Sequence, residues 1–129
     1  MNWVAAVMLL AVFQSLVFSG LVAKARAQYK VPAPAISGNA DFERYFRVHY
    51  NTNEQLMIFL PSLWLFGLYV SATWAAILGA IYLVGRAAYA VGYIKAAEKR
   101  EFGFGLSAGP TLILLLGALY GVVRAIIGG

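Results

Sequence analysis

Three long stretches of this 129-residue chain carry no charged side chain: residues 1–23, 55–85 and 102–123. A helix rises about 1.5 Å per residue, so about 20 residues cross the ~30 Å hydrocarbon core of a bilayer. The chain is 62% hydrophobic and only 12% charged, which is too apolar for an ordinary soluble domain. We therefore predict an all-α integral membrane protein, a four-helix bundle formed by one domain over residues 1–129.

The order of apolar and polar segments predicts where the helices begin and end. Prolines at positions 32 and 34 interrupt a long first connection, Ala23 to Asp41, and Asp41 is the predicted N-terminal cap of the second helix. Cleavage of the first apolar run as a secretory signal is an alternative, disfavoured because no basic residue precedes it. The helices are predicted at about 2–23, 42–69, 74–98 and 106–127.

Basic residues cluster in the first and third connections, whereas the second connection has none. Because positively charged loops stay on the cytoplasmic side, both connections are expected to be cytoplasmic and both termini to lie across the membrane. This distribution also accounts for the net charge of +5 without nucleic-acid binding. With no cysteine and a single histidine, His49, we expect no disulfide, no metal site and no protein thiol nucleophile.

Two predicted helices carry polar stripes that lipid would not tolerate. At about 100° per residue, each stripe falls on one helix face, within roughly 80° on the second helix and 60° on the third. Charged groups at hydrocarbon depth normally face a protein interior or an aqueous cavity. The stripe residues are Glu43, Arg47, Asn51 and Glu54 on the second helix, and Tyr82, Arg86, Tyr89, Tyr93 and Arg100 on the third.

The charges on these stripes suggest a ligand. The inward faces hold three arginines, Arg47, Arg86 and Arg100, against one carboxylate, Glu54, so a ligand with carboxylate groups would balance them. Glu54 would pair with an ammonium group, and the ligand is therefore expected to be zwitterionic. Arg100 would favour the anionic form of a neighbouring acid or thiol. The alternative is a buried structural network in which Glu54 neutralises Arg47 or Arg86.

Two motifs add a resemblance to these inferences. The segment F-E-R-x-x-R-x-x-x-N-x-x-E begins at Phe42 and ends at Glu54, and R-x-x-Y-x-x-G-Y spans residues 86–93, with Arg100 beyond it. Both are similar to segments of the family of membrane-associated proteins in eicosanoid and glutathione metabolism, abbreviated MAPEG. The resemblance covers essentially the whole chain in length, span count and loop pattern.

This resemblance implies a homotrimer that binds glutathione as co-substrate between adjacent subunits, near the cytoplasmic side. It implies that Arg100 stabilises the glutathione thiolate, which attacks lipophilic electrophiles or peroxides. The substrate is expected to arrive from membrane lipid through a groove lined by the first and fourth helices. Short loops resemble those of bacterial members, which implies a bacterial inner-membrane protein. The residues implied to hold the tripeptide are Arg26, Arg47, Asn51, Glu54, Arg86, Tyr89 and Tyr93.

Two other functions remain open at this point. A non-catalytic scaffold would bind lipid or glutathione without forming a thiolate, and the presence of Arg100 argues against it. A small multidrug antiporter would depend on a membrane carboxylate, for which Glu54 is available, but neighbouring arginines would repel a cationic substrate. The sequence does not choose among conjugation, peroxide reduction and isomerisation.

Overall fold

In a computed structural model that describes residues 1–129, the chain forms four long helices and no strand. They are α1 (Asn2–Tyr29), α2 (Ala40–Tyr69), α3 (Ala72–Lys95) and α4 (Glu101–Gly128), with a 3-10 helix at Ala97–Arg100. Both α1 and α4 pack against the α2–α3 pair. The predicted all-α four-helix architecture is confirmed.

The first helix is longer than predicted, because it continues to Tyr29. Lys24 and Arg26 therefore lie on α1 and not in a loop. The residues around them, including Ala25 and Ala27, favour helix, and the first residue that cannot continue a helix is Pro32. Lys30 ends α1 in the left-handed conformation, with a φ of 56°.

The predicted cap of α2 is also wrong. Asn39 is the N-cap, and its Oδ1 accepts a hydrogen bond of 2.9 Å from the backbone N–H of Phe42. Asp41 instead lies in the first turn, where its carboxylate pairs with Arg44. The Arg44 Nε donates to the carbonyl of Ile94, at 3.1 Å, and so joins the start of α2 to the end of α3. The first and third connections consequently meet at one end of the bundle.

The boundary between α3 and α4 lies earlier than predicted. The third helix ends at Lys95, and the fourth begins at Glu101, so Gly103 and Gly105 are helical and do not form a loop. A Cβ on Gly103 would lie 2.1 Å from the backbone nitrogen of Tyr89. This glycine therefore permits close approach of α3 and α4, although glycine more often marks a turn or the end of a helix.

Most buried side chains of the bundle are apolar, and so is much of its outer surface. Phe59 and Tyr82 stack at its centre with ring centroids 3.7 Å apart, surrounded by buried residues from all four helices. Three helices are long and apolar enough to cross a membrane, namely α1, α3 and the segment Ala97–Gly128. The second helix is as long, but the polar residues in its first half make it less apolar than these three. The chain is thus a membrane helical bundle.

Candidate functional site

A polar cleft of 270 Å³ lies where the first half of α2 meets the last turns of α3 and the 3-10 helix. It brings together six of the residues that the sequence identified, and it adds Tyr50. The complete lining is Arg47, Tyr50, Asn51, Glu54, Tyr89, Tyr93 and Arg100.

The charged groups of the cleft are not paired with one another. The only ion pair in the protein joins Arg44 and Asp41, so Glu54 neutralises neither Arg47 nor Arg86. The structure contradicts the buried-network alternative in that respect. Arg47, Glu54 and Arg100 are all exposed, and two guanidinium groups and one carboxylate are free to meet a ligand.

Aromatic rings form one wall of the cleft. Tyr89 and Tyr93 meet edge to face, with centroids 5.5 Å apart and an angle of 67° between the rings. The guanidinium carbon of Arg100 lies 5.6 Å from the Tyr93 centroid, and its Nη1 donates to the carbonyl of Ala97 at 2.6 Å. The 3-10 turn and the tyrosine ring together hold Arg100 at the cleft.

Arg86 lies behind this wall and does not line the cleft. Its side chain is completely buried, and the guanidinium carbon sits 4.2 Å from the centroid of the Tyr89 ring. Nε donates to Ser107 Oγ at 3.1 Å, and Nη1 donates to Thr52 Oγ1 at 3.2 Å. Nη1 and Nη2 both donate to Asn51 Oδ1, at 2.9 and 3.1 Å. One guanidinium thus joins α2, α3 and α4.

These hydrogen bonds determine what Asn51 can offer to a ligand. Because two N–H groups of Arg86 occupy Oδ1, the Nδ2 amide remains as a donor at the cleft. Asn51 therefore presents N–H groups to carboxylate or carbonyl oxygens. The sequence analysis missed Ser107 and Thr52, which orient Arg86. Ser107 lies in an uncharged, mostly apolar stretch, where a single serine hydroxyl usually hydrogen-bonds to a backbone carbonyl of its own helix.

Arg26 is separate from the other predicted residues. Its Nη1 donates to the carbonyl of Ala35 at 2.6 Å, and its guanidinium carbon lies 4.9 Å from the centroid of the Phe42 ring. It lines a different depression, between the end of α1 and the loop that follows. Within a single chain, Arg26 holds that loop in place and does not reach the cleft.

An apolar groove of 490 Å³ lies further along the same side of the bundle, between α2 and α4. A substrate groove lined by α1 and α4 was expected, but α1 packs on α2 and α3, and the groove within this chain is lined by α2 and α4. Its main lining residues are Met57, Ile58, Pro61, Leu65, Leu115 and Leu119.

The cleft and the groove share one face of α2. At about 100° per residue, six residues fall within roughly 80° of one another and extend for about 27 Å. The first three line the polar cleft and the last three line the apolar groove. They are Arg47, Asn51, Glu54, Ile58, Pro61 and Leu65. A ligand in the cleft would therefore lie beside the apolar groove.

Comparison with known proteins identifies the family. The model of the MAPEG family matches residues 4–120. An uncharacterized protein of Synechocystis sp. is 52% identical, over 94% of this chain and 88% of its own. Human microsomal glutathione S-transferase 2 is 46% identical, over 89% of this chain and 79% of its own. Leukotriene C4 synthase of Cavia porcellus is 35% identical, over 92% and 79% respectively. With its predicted resemblance confirmed over nearly the whole length, the chain belongs to the MAPEG family.

Proposed function

We propose that this chain is a membrane-embedded glutathione transferase that binds glutathione in the polar cleft and conjugates it to lipophilic electrophiles. Two kinds of relative support a glutathione-dependent enzyme, since one is named a glutathione S-transferase and another a leukotriene C4 synthase. The observation that carries the proposal is the shared face of α2, which joins a polar cleft to an apolar groove.

The charges of the cleft match those of glutathione. The tripeptide carries two carboxylates, one ammonium group and an ionisable thiol, and the cleft offers Arg47 for a carboxylate, Glu54 for the ammonium group and Arg100 for the thiolate. Guanidinium groups bind carboxylates through paired, charge-assisted hydrogen bonds. Asn51 and the hydroxyls of Tyr89 and Tyr93 supply further donors for peptide carbonyl oxygens. The set of donors and acceptors therefore fits the co-substrate.

Arg100 is the proposed catalytic residue. A guanidinium beside the thiol favours the thiolate, which is the reactive nucleophile. In conjugation the thiolate sulfur forms a bond to an electrophilic carbon, and the bond from that carbon to its leaving group breaks with its electron pair. If the substrate is a hydroperoxide, two glutathione molecules reduce it to an alcohol and water and are oxidised to the disulfide. The same positioned thiolate serves both reactions.

The second substrate would enter from the membrane through the apolar groove. The six groove residues named above are all apolar, so the aliphatic or aromatic part of a substrate can bind there with its reactive carbon facing the cleft. Glu54 and Ile58 are consecutive members of the shared α2 face, about one helical turn apart. The reacting groups would thus meet at the boundary between the two compartments.

The homotrimer is part of the proposal, because it accounts for Arg26. At 270 Å³ the cleft of one chain is at the small end for a ligand pocket, typically about 300–1,000 Å³. Arg26 lies apart from the cleft of its own chain. In a trimer that binds glutathione between subunits, Arg26 of an adjacent copy would bind a glutathione carboxylate.

We further propose that this end of the bundle is cytoplasmic, because it carries most of the basic residues. The membrane is proposed to be a bacterial inner membrane, because the loops are short like those of bacterial members.

Steady-state kinetics in detergent, with a chromogenic aryl halide as the electrophile, test this function. Arg47→Gln should raise the KM for glutathione, because it removes a binding charge. Arg100→Ala should lower kcat, because it removes stabilisation of the thiolate. Lys99→Ala is the matched control, since Lys99 is an exposed basic neighbour that does not line the cleft.

The proposal predicts that the three variants separate into a KM effect, a kcat effect and no effect. Equal turnover in wild type and Arg100→Ala would contradict the assignment of Arg100. No glutathione-dependent turnover with aryl halides, epoxides or hydroperoxides, in wild-type protein that is folded, would contradict the proposed enzyme.

A further inference from the structure

Another pocket, lined by both apolar and polar groups, lies at the opposite end of the bundle from the cleft. It has a volume of 400 Å³ and is formed where the end of α2 meets the last turns of α4. A Cβ on Gly121 would lie 2.9 Å from the Cβ of Tyr69, so this glycine brings the two helices together at the base of the pocket. The residues used below are Leu68, Tyr69, Val70, Tyr120, Gly121 and Arg124.

Arg124 is the only charged side chain at this end. The beginning of α1, the turn between α2 and α3, and residues 102–123 of α4 all belong to uncharged stretches. Arg124 is exposed and forms no ion pair with another protein group. Its positive charge is therefore available to a ligand, and no aspartate or glutamate lines the pocket.

Exposed aromatic residues mark this end of the bundle as the level of the lipid headgroups. Trp3, Trp74 and Tyr120 are 79%, 60% and 63% exposed. Tryptophan and tyrosine concentrate at membrane interfaces, where the ring meets the acyl chains and the polar atom meets the headgroups. Tyr69 and Tyr120 both line the pocket, so Arg124 lies among residues of the type that concentrates at the level of the headgroups.

We propose that this pocket binds the headgroup of an anionic phospholipid. The guanidinium of Arg124 would donate paired hydrogen bonds to two phosphate oxygens, and the hydroxyls of Tyr69 and Tyr120 would donate to the others. No carboxylate lines the pocket, so the ammonium group of a zwitterionic headgroup would find no partner. A headgroup with a net negative charge is therefore favoured.

The outer face of α4 distinguishes a lipid from a free phosphate ion. Leu116 is 56% exposed, about two turns before Arg124 along the helix, and does not line the apolar groove. Val123, beside Arg124, is 43% exposed. An acyl chain that continues from a headgroup at Arg124 would cover this apolar surface, which inorganic phosphate would leave bare.

The test measures lipid retention by native mass spectrometry and thermal unfolding of the full chain in a neutral detergent. Phosphatidylglycerol, phosphatidylcholine and inorganic phosphate are added separately to wild type, Arg124→Gln and Arg124→Lys. Lys24→Gln is the control, because Lys24 is an exposed basic residue at the other end of the bundle. Unfolding without added lipid shows that each variant is folded.

Phosphatidylglycerol should raise the unfolding temperature of wild type, since a ligand that binds only the folded state stabilises it. Arg124→Gln should weaken binding of one lipid by about fivefold or more, as expected for one basic residue at a lipid surface. Arg124→Lys should lose less affinity than Arg124→Gln, because lysine keeps the charge but not the paired hydrogen bonds, and Lys24→Gln should retain that lipid. Unchanged retention by Arg124→Gln, or equal loss in Lys24→Gln, would overturn the proposal. Equal binding of phosphatidylcholine, or displacement of phosphatidylglycerol by inorganic phosphate, would also overturn it.

Discussion

Replacing Asn51 with aspartate should stabilise the protein and weaken glutathione binding at the same time. Arg86 is fully buried and has no carboxylate partner, and its only contact with Asn51 is through Oδ1. Asn51→Asp places an ionised acceptor where the amide oxygen lies and removes the Nδ2 donor from the cleft. The protein should become more stable because the new carboxylate faces Arg86, and it should bind glutathione less tightly because the cleft loses a hydrogen-bond donor.

The magnitudes follow from the hydrogen bonds involved. Arg86 makes two hydrogen bonds to Oδ1, of 2.9 and 3.1 Å, and each becomes stronger when the acceptor carries charge. After desolvation of the new carboxylate, we expect a gain of about 1–2 kcal/mol in the free energy of unfolding. A lost hydrogen bond from a neutral donor to a peptide carbonyl oxygen costs about 0.5–1.5 kcal/mol. Glutathione should therefore bind roughly two- to tenfold more weakly.

Unfolding in mixed micelles and calorimetric titration with glutathione measure the two quantities separately. Asn53→Asp is the matched control, because the Asn53 side chain contacts Ser15 and His49 and does not touch Arg86. That control should show neither the gain in stability nor the loss of affinity. If Asn51→Asp is less stable than wild type, or binds glutathione equally well, the proposed orientation of Asn51 is wrong.

Three stability predictions can be measured in the same unfolding assay. Ser107→Ala should lower the free energy of unfolding by about 1.5–3 kcal/mol, because the buried Nε of Arg86 loses its acceptor; no loss would refute this. Tyr82→Phe should raise it by about 1 kcal/mol, because the buried hydroxyl has no hydrogen-bond partner, and a decrease would contradict that reasoning. Gly103→Ala should lower the free energy of unfolding by about 1–3 kcal/mol, because the added methyl group would overpack against α3. Gly105→Ala should raise the free energy of unfolding by about 0.5–1 kcal/mol, because its methyl group meets no atom within 4 Å and alanine favours the helix. Equal effects of the two glycine changes would refute the close-packing argument.

The helices were predictable because uncharged stretches long enough to cross a bilayer leave few alternatives. Their ends were less predictable, because local signals compete with packing. Gly103 falls between the third and fourth predicted helices, yet its place in α4 follows from contact with the backbone of α3, a partner distant in sequence. Asp41 and Asn39 are both good N-capping residues, and which of them caps α2 depends on the residue at which the loop ends and the helix begins.

Helical periodicity also predicted most of the candidate cleft. Arg47, Asn51 and Glu54 lie on one face of α2, and that face does line the cleft. Periodicity did not distinguish Arg86, which shares the polar face of α3 but points into hydrogen bonds with Thr52 and Ser107. The difference arises from partners on two other helices, which no single-helix pattern contains.

The central claim is that the cleft binds glutathione and that Arg100 holds its thiol in the ionised form. The most direct test is the ultraviolet difference absorbance of the thiolate as glutathione is titrated into detergent-purified protein at neutral pH. We predict a saturable thiolate signal in wild type and Lys99→Ala, and its loss in Arg100→Ala with glutathione still bound. A thiolate signal of equal size in Arg100→Ala would contradict the account, as would the absence of glutathione binding to the wild-type protein.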